Sequence, residues 1–140
     1  MADVTQDPAS VRAGTGAITE LVQAGEAFDA GTPVYFDDDT GKYYEADADD
    51  SNKYQASGIA LTGADADGDR FVIQTGGEGN IGGTTIKGEI YILSATAGSG
   101  GYIAPASDLG SGWYPCVIGT AKNTGGDLEY IFEYGSVSKS

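Results

Sequence analysis

Carboxylates are the residues in this chain with the most chemical potential. Asp65-Ala66-Asp67-Gly68-Asp69 brings three into one turn, and Asp47, Asp49 and Asp50 crowd another. Calcium takes roughly six to eight oxygen ligands, and an alternating Asp loop can supply several. Here, however, glycine falls early among the acids and no bidentate glutamate follows, so both clusters read as solvated turns. Paired carboxylates can hydrolyse glycosides, but nearly every Asp falls in an expected turn, where no closed pocket surrounds it. The chain has no histidine, the commonest general base and metal ligand, so a Ser-His-Asp triad is impossible. Gly76-Gly77-Glu78-Gly79 and Gly82-Gly83 lack the Lys-Ser/Thr that makes a glycine loop a phosphate cradle. Cys116, the single cysteine, follows Pro115 in the apolar run Trp113–Ile118 and reads as a small core residue; alone it forms no internal disulfide. These residues predict no catalytic, cofactor-binding or metal site.

The elements that carry them follow from composition. With 140 residues the chain suits one domain. Its 23 glycines are about twice the usual share of roughly 7%, and mixed with β-branched residues and nine tyrosines they predict short strands joined by tight turns. Seven basic residues, scattered singly against 21 acidic ones, give a net charge of −14 and no basic patch, which excludes nucleic-acid binding. No apolar run is long enough for a membrane helix, so no membrane partner is expected. Residues 1–8 are polar and acidic, unlike a signal peptide, which predicts synthesis in a cytoplasm.

The pattern predicts an extended, flexible arm over 1–16, a β domain over 17–134 and a polar tail over 135–140. Strands are expected at 17–23, 33–36, 42–45, 57–62, 70–75, 89–94, 102–104, 113–121 and 128–134. The glycine-rich passage 76–83 is expected as turns, and a short helical turn is possible near 105–109. Two stretches share an order of features. Gly31–Phe36, Gly41–Ala46 and Gly58–Leu61 are echoed by Gly88–Leu93, Gly101–Pro105 and Gly119–Lys122. The echo predicts a single-domain, all-β barrel or sandwich of two similar hairpin-plus-strand halves, each unable to bury its apolar face alone. Tyr43, Tyr44, Tyr102 and Trp113 could stack on a sugar, and interface or core roles suit them better.

Glu26–Phe36, Gly41–Asp49, Ser57–Leu61 and Leu93–Gly98 resemble the small decoration proteins of tailed phages, the capsid cement or head-fibre-base family. The resemblance runs from about Ala17 to Ile131. It implies an all-β, non-enzymatic virion protein, synthesised in the host cytoplasm and placed as a homotrimer on the outer surface of an expanded capsid. Its implied partner is the major capsid protein, with no cofactor. On this reading the arm adds a strand to an exposed capsid sheet edge. The partner-binding residues are then Val4, Val11 and Arg12 of the arm, with Trp113. A base or adaptor for a head- or tail-fibre protein and a carbohydrate-binding β-module are the alternatives.

Overall fold

The computed structural model describes residues 3–95 and 101–135. Residues 1–2 of the expected arm, 96–100, which take in the end of the Leu93–Gly98 motif, and 136–140 of the expected tail lie outside the described residues. Among the described residues eleven strands form two antiparallel sheets: β1 (Arg12–Ala13), β2 (Ile18–Gln23), β3 (Pro33–Asp37), β4 (Lys42–Glu45), β5 (Gly58–Ala60), β6 (Arg70–Gly76), β7 (Glu78–Asn80), β8 (Ile90–Leu93), β9 (Ile103–Pro105), β10 (Cys116–Ala121) and β11 (Asp127–Tyr134). The first sheet runs β2-β6-β5-β3-β4 and the second β1-β7-β11-β10-β8-β9. The sheets pack against each other as a sandwich; they do not close into a barrel. Among the described residues two 3₁₀ turns, Pro8–Ser10 and Ala106–Asp108, are the helical elements, and no helix could cross a membrane. The glycine-rich passage expected as turns contains strand β7, because Glu78–Asn80 find partners on both sides, β1 and β11.

The acids build the turns. Carboxylates of Asp37, Asp47 and Asp50 accept the N–H two residues on, from Asp39 at 2.8 Å, Asp49 at 3.0 Å and Asn52 at 2.8 Å. Asp69 Oδ2 accepts from the N–H of Asp65 at 3.0 Å and of Ala66 at 3.1 Å, and Asp67 pairs with Lys42 at 2.8 Å. The three-carboxylate turn is thus held from within by Asp69 and tied to β4 through Asp67.

Stripped of β1, the two sheets share one strand order: each half adds its first strand beside its last, with the hairpin at the far side. Register repeats with it. Val34 lies opposite Glu45 and Gly58 as Tyr91 lies opposite Pro105 and Gly119, matching the echo seen in sequence. Gly58 and Gly119 show why glycine recurs there. A Cβ on Gly58 would stand 2.8 Å from Gln74 O, and one on Gly119 2.3 Å from Glu129 O, too close to neighbouring backbone.

The larger core cluster joins both sheets: Ile59, Ala46 and Tyr54 from the first half meet Tyr91, Leu93, Ile103, Ile118 and Leu128 from the second. A smaller cluster, including Phe28, Val34, Phe71 and Ile73, fills the other face of the first sheet. There Ala24 bridges to Tyr43, curling the sheet on itself. In the second half the segment read as a free arm does this work. Val4 N–H donates to Ile103 O at 2.8 Å, Asp7 N–H to Gly82 O at 2.7 Å, and β1 pairs with β7. Asp3 meets Ser94, and Gln6 Nε2 donates to Gly31 O at 2.9 Å and to Ile81 O at 2.8 Å, one carbonyl from each half.

Two outcomes follow for urea unfolding. Gly119→Ala is expected to cost about 1–3 kcal/mol, the scale of overpacking a filled site. Gln6→Ala should cost about 1–3 kcal/mol, because two carbonyls lose their donor and the tie between the halves goes.

Candidate functional site

The four residues expected to meet a partner are placed unequally. Val4 is half-buried against the larger cluster, as is Trp113. Val11 is half-buried, its Cγ2 3.0 Å from where a Cβ would stand on either Gly31 or Gly82, so it fills a groove kept open by glycine. Arg12 is exposed and turns Nη1 toward Ser10 O at 3.2 Å. Of the four, Arg12 alone is exposed, the other three being half-buried. Three of the tyrosine and tryptophan candidates are likewise engaged: Tyr43 contacts the rings of Phe36 and Phe71, Tyr44 stacks on Tyr35, and Trp113 packs on the core. Tyr102 remains exposed.

Sequence reasoning missed the apolar residues that do reach solvent. Ile18 and Leu21, on strand β2, are 61% and 57% exposed. Phe36, Ile131 and Tyr134 are also exposed and line an open cleft of about 500 Å³ with Tyr35, Ser57 and Phe132. Phe132 holds φ at 53°, a left-handed conformation that a bulky residue takes only when its surroundings impose it. Tyr130 stacks on its ring at 5.3 Å, and Ser57 Oγ is buried in this region without a hydrogen-bond partner among the described residues. Such a wall of rings can receive an apolar side chain or the face of a sugar. The sequence of β2, Ile-Thr-Glu-Leu-Val-Gln, marks a strand without saying which face is covered, and its place at a sheet edge is what leaves it exposed.

A second cleft, about 720 Å³, lies between the arm and the first half and is edged by Asp3, Asp29, Glu45 and Asp65. Burial, with repulsion from Glu26, Asp29 and Asp47, raises the Glu45 carboxyl to about 7, opposed by Lys53. Glu26 accepts the Glu45 backbone N–H at 2.8 Å, which fixes one acid beside the other. Asp127 moves the opposite way, below the usual carboxylate range, chiefly because Asn123 donates to it, helped by Asn80. Burial pushes the Cys116 thiol up to about 11, with a hydrogen bond involving the Ala56 backbone acting the other way. A largely protonated thiol in the core is a packing group rather than a nucleophile. No group of three or more Asp, Glu, Cys or His suited to a metal occurs among the described residues.

The exposed chemistry of this β-sandwich is therefore a strand edge and patches of rings and aliphatic side chains, the equipment of a protein that binds other macromolecules through its surface. The family to which the chain belongs is that of the phage cement proteins, whose profile matches residues 3–75. The match covers the arm and the first half, β1 to β6, so the arm is part of the family pattern. No curated protein matches the chain. Membership makes this a structural protein associated with the phage capsid.

Glu45 makes stability depend on pH with a definite sign. Its folded-state value lies above its unfolded value of about 4.5, so its contribution is fully present below that pH and is lost as pH rises through about 7. Glu45→Gln should flatten the pH dependence between about 5 and 8 and raise stability at pH 8. The gain should be about 1–2 kcal/mol once screening of a half-buried group is discounted, measured by urea unfolding across that range.

Proposed function

We propose that the protein is a non-enzymatic decoration protein that sits on the outside of the expanded phage capsid. There it binds the major capsid protein as a homotrimer and stabilises the shell. The family match carries this reading. A net charge of −14 keeps copies apart before assembly and discourages contact with DNA. The exposed Ile18, Leu21, Phe36 and Ile131 supply apolar area for shell and trimer contacts. If the protein binds the expanded form and not the precursor, each docked copy shifts the shell toward the expanded state by mass action. The arm's bonds to Ile103, Gly82 and β7 help to complete its own domain, while β1 stands at the sheet edge with its outer side turned away from β7.

Co-sedimentation with expanded and precursor heads tests the reading. Saturable binding to expanded heads alone is expected, at a stoichiometry that reports the symmetry position. Binding to neither form would overturn decoration and favour a carbohydrate-binding role, which the Phe36–Tyr134 cleft supports, or a fibre-adaptor role.

A further inference from the structure

The two halves differ at one edge. Ala24 N–H donates to Asp69 O just past the end of β2, as Ile81 N–H donates to Gly126 O just past the end of β7. Counting back from those strand ends, Gln23 corresponds to Asn80 and Leu21 to Glu78. Glu78 turns its backbone outward: its C=O accepts from Gly14 N–H at 2.8 Å and its N–H donates to Thr15 O at 2.9 Å, continuing the pairing of β1.

Leu21 has the same orientation. Its cross-strand neighbour Val72 uses both backbone groups on the far side, accepting from Leu61 N–H at 2.7 Å and donating to Thr62 Oγ1 at 3.0 Å. Antiparallel pairs alternate between bonded and non-bonded positions, so the N–H and C=O of Leu21, and of Thr19 and Gln23, point away from β6. β4 reaches β2 only at its end, where Ala24 bridges to Tyr43; along Thr19–Leu21 no strand among the described residues is paired with β2 as β1 is with β7. The side chains agree: Leu21 lies across from Val72, on the face opposite Ala60 and Ile73, and is exposed, while Leu61, just past β5, bonds Val72 on its other side.

We propose that the β2 edge, centred on Leu21, is the strand-acceptor through which this protein takes hold of the capsid. The occupant is an extended segment of the shell protein, paired with β2 as Arg12–Thr15 pair with β7, with an apolar side chain set beside Leu21. This rests on the decoration reading and names the surface that performs it. Charge at the edge selects the occupant: a second copy pairing here would set another Glu20 against Glu20, whereas a shell segment flanked by basic residues would be attracted.

Leu21→Pro tests it. Proline removes an N–H that β6 does not use, and an edge strand accepts proline at such a position, so the β2–β6 ladder should survive. Leu21→Lys is a second variant, keeping the N–H and setting a charge against the incoming strand. Full-length wild type and both variants are compared by melting temperature and by co-sedimentation with expanded heads, and backbone amide exchange at Thr19 and Leu21 is followed on the wild-type complex. The expected result is native-like melting, shell affinity reduced about tenfold or more in both variants, and protection of those amides on the shell. Folded variants with unchanged affinity, or amides left unprotected, overturn the acceptor edge while decoration stands. A wild-type protein that binds no heads overturns decoration and this inference together. A wild-type dimer that Leu21→Pro dissolves assigns the edge to a second copy and overturns the shell as occupant.

Discussion

An antiparallel sheet leaves unpaired backbone groups along its outer strands, and this protein is organised by how those groups are satisfied. Each half is a five-stranded sheet with the same order, hence the same open edge and the same seam between first and third strands. The first half closes its seam directly, by Gly25 N–H donating to Tyr43 O at 2.8 Å. The second half is closed by the arm, which bonds Ile103 on one side and Gly82 on the other before continuing as β1. One repeated architecture thus receives two different completions.

This arrangement explains why the arm behaves as part of the fold. Gln6 takes one carbonyl from each half, and Val4 packs on the cluster in which both sheets meet. The groove it lies in is kept open by glycine: a Cβ on Gly83 would stand 2.6 Å from Thr5 O, and one on Gly82 2.5 Å from Asp7 O. A small domain with many glycines loses chain entropy on folding, and the arm offsets part of that cost by tying two sheets into one body.

The acidic composition has two roles that coexist. Many carboxylates are spent locally, accepting backbone N–H groups in turns between strands. Collectively they leave a strongly negative body, suited to remaining dispersed until it meets a shell. Where acids crowd, as around Glu45, repulsion and burial drive the group toward its neutral form, so charge density is tolerated at the surface and resisted in the cleft.

The sequence by itself determined the all-β class, nearly every strand, the acid-built turns and the doubling of the hairpin-plus-strand unit. Those features are local: alternation, Asx turns and glycines sit within a few residues of the structure they produce. Short-range signals also placed Cys116 in the core. Tertiary structure alone decided that the arm packs on its own domain and carries an edge strand, that Glu78–Asn80 within a glycine-rich passage are paired on both sides, and that Val4, Val11 and Trp113 are engaged while Ile18 and Leu21 are exposed. An exposed edge strand and a central one can carry the same alternating sequence. The difference is which strand, if any, lies beside them, and those partners come from Arg12–Ala13 for β7 and from β6 for β2, far away along the chain in each case.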